Sequence, residues 1–419
     1  MTSRQRLQAT LNHQTPDRVC VDFGATPVTG IHVSAVTRLR RSLLGEEDVR
    51  VKVIEPYQML GEIDDALAEA LGVDVVGVPG RKSLLGTQNK GWKPFRLFDG
   101  TEVLVSGDFN TTVDASGDLL IYPEGDTSVP PSGRMPKGGH FFDAIIRQEP
   151  IDEDKLDPAD NLEEFGLLGA EDLAYYREKL AFLDQHGEAG HLLGVPGSAF
   201  GDIALVPAPF LKRPKGIRDV EEWYVSTAIR PEYVLAIFER QCEIAEENLR
   251  TLFKLFGDRV DAAFTTGTDF GTQRGTFISR EAYQQLYKPF HKRINDLIHS
   301  QSNWKVFIHS CGSVYDLVPD FIDAGFDILN PVQCSAACMD AATLKREFGR
   351  HLTFWGGGVD TQKTLPFATP QEVYDQVRQR IEIFHPGGGF VFNTIHNVQA
   401  NTPTENMLAM FRAIRDGGR

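Results

Sequence analysis

Cysteine is scarce in this sequence, and the cysteines present do not have the pattern of a disulfide-stabilised protein. The 419 residues include five cysteines, an odd number scattered along a long chain: Cys20, Cys242, Cys311, Cys334 and Cys338. Disulfide scaffolds are short secreted domains with even sets of closely spaced cysteines. We therefore expect a cytoplasmic protein whose thiols are free for chemistry or for metal binding.

Long apolar runs and basic runs are also missing. No stretch approaches the roughly 18 apolar residues of a membrane span, and the polar start MTSRQRLQATLNHQTPDR lacks the apolar core of a signal peptide. The net charge is −15, and the short cluster of Arg38, Arg40 and Arg41 is best interpreted as the solvated side of an early helix. Nucleic acids and acidic membranes need a basic face, so the sequence argues against both as partners.

The composition of the chain, with 41% hydrophobic and 24% charged residues, is that of an ordinary globular protein. Short β-branched or aromatic runs bounded by Gly, Pro or Asp predict eight strands. They are Arg18–Phe23, Val73–Val78, His191–Val195, Val260–Phe264, Lys305–His309, Phe326–Leu329, Leu352–Trp355 and Gly389–Asn393.

Helical patterns separate most of these strands. Apolar spacing and start signals predict helices over Pro231–Phe256, from Ser279 to Ile298, over Pro370–Phe384, and from Thr402 to about Ile414. Alternating strands and helices imply a parallel sheet, and eight strands suggest closure. We therefore expect an α/β protein, a (β/α)₈ TIM-type barrel formed as one domain by residues 1–419, with the first and last strands adjacent. A doubly wound open sheet is the alternative, although no G-x-G-x-x-G follows the first strand.

The stretch from about residue 82 to 150 breaks this rhythm. The pairs Asp99-Gly100 and Ser116-Gly117 lie between alternating runs and predict hairpin turns. We expect a small antiparallel β insertion, serving either as a lid over the site or as a packing appendage.

The sharpest chemical signal is HSCG, which begins at the last residue of the fifth predicted strand. In a parallel barrel the end of a strand faces the active site, so His309 and Cys311 would lie at its rim. Zinc accepts both imidazole and thiolate ligands. A packed cysteine beside a histidine bonded to backbone is the alternative.

Other strand ends bring further polar residues to the same rim. His396 follows the eighth strand and is a candidate third metal ligand, while Asp269 and Gln273 on a Gly-rich loop join His309 and His396 as catalytic candidates. The candidates for substrate binding are Asn330, Gln333, Asp360, Asn397 and Gln399. A cap or surface role is favoured for Glu55, Tyr57 and Gln58, and the C-x₃-C pair of Cys334 and Cys338 is interpreted as incidental.

Three segments together carry a family resemblance: HSCG with FDILNPVQ, then GTQRGTFISREAYQQLYKPFHKR, and finally GGGFVFNTIHNVQANTPTEN. They resemble the uroporphyrinogen decarboxylase superfamily, whose members are decarboxylases and cobalamin- or thiol-linked methyltransferases on a (β/α)₈ barrel. The resemblance is strong over about residues 260–418 and weaker over the first eighty.

Two motifs distinguish the branches of that superfamily. Its decarboxylases resemble one another in an early arginine-rich motif that holds substrate carboxylates, whereas the corresponding stretch here, Val21–His32, has no arginine. In the methyltransferase branch, the His-x-Cys pair binds zinc together with a later cysteine shortly before T-P-x-E-N. Six residues before Thr402 this chain has His396, so the resemblance implies a ligand set of His309, Cys311 and His396.

The resemblance therefore favours a zinc-dependent methyltransferase of the demethylase type. A methyl group would pass between a small methylated compound or thiol and a corrinoid on a partner protein. A decarboxylase (lyase) acting on a tetrapyrrole or another acid is the first alternative, and a non-catalytic metal- or metabolite-binding barrel is the second. The candidate partners are a small-molecule substrate, a corrinoid protein and a second copy of the chain in a homodimer.

Overall fold

Eight short strands rich in apolar residues form one parallel sheet. A computed structural model of the chain describes residues 1–417. The sheet strands, labelled in chain order, are β1 Cys20–Val21, β2 Val75–Val78, β3 Gly190–Gly194, β4 Ala262–Thr266, β5 Lys305–His309, β6 Ile328–Asn330, β7 Thr353–Trp355 and β8 Phe390–Phe392. Each of the eight predicted strands overlaps one of these, and β5 has the predicted bounds.

The order of the strands is that of a barrel. From one edge to the other they run β1, β8, β7, β6, β5, β4, β3, β2, with all neighbours parallel. The prediction that the first and last strands are adjacent is confirmed, since Cys20 pairs with Val391 and Val21 with Phe392. Between the two edges, the Asp74 amide before β2 donates to the Val21 carbonyl of β1 at 2.8 Å. The sheet is therefore nearly closed, and the expected (β/α)₈ class is confirmed.

Helices follow most of the strands. They are Ser3–Leu11, Val33–Leu44, Asp65–Leu71, Ala170–Gln185, Val220–Ile229, Pro231–Phe256, Arg280–Ala282, Lys288–Gln301, Val318–Asp323, Ala341–Phe348, Thr364–Phe367, Pro370–Phe384 and Thr404–Gly417. A π-helical turn, Tyr283–Tyr287, joins the seventh and eighth of them. The predicted bounds of Pro231–Phe256 and Pro370–Phe384 are confirmed. Within the described residues, no helix is both long and apolar enough to span a membrane.

Antiparallel strands occupy the stretch between β2 and β3, as expected. Lys93–Arg96 and Glu102–Val105 form a hairpin, and a four-stranded sheet contains Thr111–Val113, Leu119–Ile121, Gly133–Met135 and Asp143–Ala144. The two predicted turns contain Gly100 and Gly117, whose φ angles of +85° and +84° suit glycine best. A further pair, Val53–Glu55 and Leu60–Gly61, lies before β2.

Side chains from all eight strands fill the inside of the barrel. One buried cluster takes a residue from each strand, in chain order Cys20, Val75, Leu192, Ala262, Phe307, Ile328, Trp355 and Val391. The Phe307 ring packs edge-on against Trp355 and Phe264. The barrel is thus a packed core, and a ligand has room only beyond the ends of its strands.

Candidate metal centre

A large cavity opens at the carboxyl ends of the strands. It has a volume of about 1670 Å³, and its walls combine loops that follow β1 to β5 and β8 with segments before β2. The walls contain His309, Cys311, His396 and Asp269, all of which the sequence analysis placed at the barrel rim. Asp202, from the loop after β3, lies in the same wall.

Three of these side chains converge closely. One ligand atom each from Asp269, His309 and Cys311 lies within 4.8 Å of the other two. The His309 Nε2 atom is 3.4 Å from the Cys311 Sγ atom and 3.7 Å from an Asp269 carboxylate oxygen. A nitrogen, a sulfur and an oxygen ligand facing one point form a donor set that suits Zn²⁺.

Close contact between two loops brings these residues together. A Cβ atom on Gly312 would lie only 2.4 Å from the Gly271 backbone, and one on Gly271 would lie 2.5 Å from the Cys311 carbonyl oxygen. The loops after β4 and β5 therefore touch backbone to backbone. As a result, Asp269 accepts a hydrogen bond of 2.6 Å from the Cys311 amide.

The electrostatics of this group favour a bound cation. Burial, and then the charge of Asp269, raise the pKa of the Cys311 thiol well above its usual value. Burial raises the pKa of Asp202 to about 6. Hydrogen bonds to its carboxylate oppose this effect in part, and the nearby charge of Asp269 adds to it. Within residues 1–417, neither Asp269 nor Asp202 forms an ion pair with a lysine or arginine. The carboxylate of Asp269 faces the His309 ring instead. A divalent cation would neutralise this charge and stabilise the thiolate.

His396 lies in the same cavity but outside the three-residue group. Its side chain is exposed to the cavity, while surrounding protein and the nearby His309 ring lower the pKa of its imidazole. The ligand atoms that lie within 4.8 Å of one another come from Asp269, His309 and Cys311. Asp269, expected to be catalytic, therefore lies within the three-residue group, and His396, expected to be the third metal ligand, lies outside it.

Two residues expected to contact substrate support the loops of the site instead. Asn330 is fully buried and its Oδ1 atom lies 2.6 Å from His309 Nδ1. The Gln333 side chain accepts a hydrogen bond of 2.8 Å from the Gly312 amide. Neither residue lines the cavity.

The remaining substrate candidates also bond mainly within the protein. Asp360 accepts from the Gln362 and Lys363 amides, and Gln399 donates to the Asn397 carbonyl. Asn397 accepts from the Gly30 amide at 2.6 Å and donates to the Pro27 carbonyl and the Gln58 side chain, which ties the β8 loop to the segment after β1.

The last catalytic candidate is Gln273, whose side chain is exposed and absent from the cavity wall. Its backbone carbonyl accepts from Ala337. The structure therefore gathers four of the predicted residues at the cavity, His309, Cys311, Asp269 and His396, and leaves the others behind or beside it.

Sequence reasoning missed Asp202 and undervalued Glu55. Both line the cavity, and burial raises the pKa of Glu55 to about 7 against the opposing effect of hydrogen bonds from the Gln58 and Tyr57 amides. Asp202 lies in the long loop after β3, and no sequence signal indicated that it would line the cavity. Glu55, with Tyr57 and Gln58, reaches the cavity from a short antiparallel pair, Val53–Glu55 and Leu60–Gly61, that the sequence did not reveal.

Comparisons with known proteins concern the family and the fold of the chain. Residues 218–417 match the family model of uroporphyrinogen decarboxylase (URO-D). A methyltransferase from Methanosarcina mazei has a similar solved structure, with a TM-score of 0.54 and 14% sequence identity over 99% of both chains. At this identity the similarity concerns the fold. No curated protein matches the chain. Residues 218–417, slightly less than half of the chain, are thus similar to an enzyme family, the uroporphyrinogen decarboxylases, and the whole chain shares the fold of a solved methyltransferase.

Proposed function

We propose that the protein is a zinc-dependent methyltransferase that moves a methyl group between a small methylated compound or thiol and a corrinoid held by a partner protein. The observation that carries the proposal is the convergence of Asp269, His309 and Cys311 in the wall of a large cavity. Mixed nitrogen, sulfur and oxygen ligands with space left on one side are the arrangement of catalytic rather than structural zinc sites.

The residues around this point have separate tasks in the proposed reaction. A zinc ion bound there supplies a positive charge that favours a substrate thiolate or polarises the heteroatom that carries the methyl group. Cys311 and Asp269 provide anionic ligand atoms, and His309 provides a neutral one. Asp202 offers a carboxylate close to Asp269 that can accept the proton of a substrate thiol. His396 faces the same cavity and is placed to contact the substrate or to serve as a further ligand.

The cavity walls favour this reaction over decarboxylation of a porphyrinogen. Residues 23–28 and Gly30, within the arginine-free stretch after β1, lie in the wall and present no cation. Of the four Lys or Arg residues in the wall, three are bound to acidic partners: Lys52 to Glu62, Arg81 to Asp172 and Lys82 to Glu124. A substrate with many carboxylates would find few free cations.

Zinc content tests the proposal. We expect about one zinc per chain in protein purified without chelator, and a large loss in Cys311→Ser because the soft anionic ligand is removed. Cys338→Ser is the matched control, since Cys338 is exposed and away from the cavity. Zinc-free wild type, or equal zinc in all three proteins, would contradict the proposed metal site.

His396→Ala distinguishes the two possible ligand sets. Because Asp269 already completes a group of three, we expect this variant to weaken zinc binding less than Cys311→Ser does.

Methyl transfer is then measured from the absorbance change of a corrinoid incubated with protein and methylated compounds. A zinc-loaded barrel without turnover would favour a non-catalytic binding protein.

A further inference from the structure

The orientation of the Asn330 amide is determined by its surroundings. Its Nδ2 atom lies 2.7 Å from the backbone carbonyl oxygen of Trp355 at the end of β7. A carbonyl can only accept a hydrogen bond, so the amide NH₂ must face Trp355 and the amide oxygen must face the other way. The side chain is fully buried, which leaves it no solvent partner.

The amide oxygen in turn determines which nitrogen of His309 carries a proton. Asn330 Oδ1 lies 2.6 Å from His309 Nδ1, and an amide oxygen can only accept. The proton of the neutral ring therefore lies on Nδ1. The lone pair lies on Nε2, the atom that faces Cys311 Sγ at 3.4 Å and Asp269 at 3.7 Å.

From this chain of contacts we propose that Asn330 is a positioning residue: it holds His309 in the Nδ1–H tautomer and thereby directs the Nε2 lone pair towards Cys311 and Asp269. The consequence for metal affinity rests on the proposed zinc site, whereas the tautomer does not. Residues that bond the far nitrogen of a metal-binding histidine fix its ring and raise its basicity, and their loss weakens metal binding.

The tautomer is measured in metal-free protein labelled with ¹⁵N-histidine. Two-bond ¹H–¹⁵N spectra at neutral pH distinguish a protonated from an unprotonated ring nitrogen, and the His309 signals are those absent from His309→Gln. In the wild type we expect a protonated Nδ1 and an unprotonated Nε2. A protonated Nε2 with unprotonated Nδ1 overturns the proposal.

Variants of Asn330 separate positioning from a general structural role. Asn330→Leu has a similar size but no acceptor, so the His309 signals should lose their preference for Nδ1–H. Asn330→Asp retains an acceptor and should preserve it. Gln333→Leu is the control, because Gln333 holds the Gly312 amide and makes no hydrogen bond to His309. Unchanged His309 signals in folded Asn330→Leu overturn the proposal; if that variant does not fold, loss of Nδ1–H in Asn330→Asp overturns it.

Zinc titration against a competing chelator gives the second readout. We expect affinity about 10- to 100-fold weaker in Asn330→Leu and little changed in Cys338→Ser, whose cysteine is exposed and away from the cavity. Equal affinity in wild type and Asn330→Leu would contradict the positioning role. If the wild type binds no zinc, the proposed function fails, while the spectra still decide the tautomer.

Discussion

At the scale of single residues, His291 shows how strongly burial determines the chemistry of a side chain. It lies in the helix Lys288–Gln301, is 2% exposed, and is surrounded by the rings of Phe200, Phe270, Tyr283, Tyr287 and Phe326. Its Nδ1 atom contacts the Tyr283 hydroxyl, and the burial lowers its pKa to about 3. The imidazole is therefore neutral throughout the physiological range.

This lowered pKa predicts an acid-sensitive contribution to stability. The unfolded state binds a proton at His291 below about pH 6.5 and the folded state does not, so the free energy of unfolding falls as the pH drops from 6.5 towards 3. The slope approaches about 1.4 kcal/mol per pH unit. We expect His291→Phe to lose this dependence. Urea denaturation at pH 7 and pH 5, compared with His351→Gln at an exposed position, measures it. Parallel pH profiles for wild type and His291→Phe would show the prediction to be wrong.

The residues at the candidate metal centre could be predicted only in part. His309 ends β5, Cys311 follows it closely, and His396 lies in the loop after β8. The alternation of strands and helices along the chain locates such strand ends well. Whether a polar side chain then faces the cavity or a neighbouring backbone depends on atoms from distant loops. Asn330 and Asn397 were both expected to contact substrate, yet both form their hydrogen bonds with other groups of the protein. Asp202 lies in a loop without periodicity, and only the folded barrel places it beside Asp269.

At the scale of elements, the contact between the loops after β4 and β5 has a measurable consequence. A methyl group at position 271 would collide with the Cys311 carbonyl oxygen, so Gly271→Ala should push the loops apart and separate Asp269 from Cys311. We expect zinc affinity to fall and the free energy of unfolding to decrease by about 1–3 kcal/mol. Zinc competition and urea denaturation measure both effects.

Gly275 provides the control within the same loop. A Cβ atom there would meet nothing within 4 Å, and its backbone is not in the left-handed region. Gly275→Ala should therefore leave zinc affinity and stability close to wild type. Equal effects of the two substitutions would mean that the close loop contact does not organise the candidate metal centre.

The bounds of helices agreed with the sequence-based prediction where the sequence contained a clear start signal. Pro231 and Pro370 start their helices at a position where a missing N–H costs nothing, and both predicted bounds are confirmed. The prediction of one helix from Ser279 to Ile298 missed a π-helical turn at Tyr283–Tyr287. This turn precedes Pro289, which has no N–H to donate to the preceding turn, so the regular bonding pattern is interrupted there.

At the scale of the whole molecule, the composition of the cavity wall predicts that the protein does not decarboxylate uroporphyrinogen. Because the stretch after β1 lines the cavity without a cation, we expect no conversion of uroporphyrinogen to coproporphyrinogen in an anaerobic assay. The assay should use zinc-loaded protein, so that a negative result is not due to an empty site. Coproporphyrinogen formed at enzymatic rates would overturn both this prediction and the proposed methyl transfer.

The pairing of β1 with β8 has a consequence for the order of assembly. Cys20 pairs with Val391, so the first strand of the barrel obtains this neighbour only after nearly the whole chain has been synthesised. Contacts between such distant segments form late, because a long loop must be closed first. During translation β1 therefore lacks its paired strand until β8 has been synthesised. His396 follows that strand, so the wall it forms is among the last parts of the cavity to be completed.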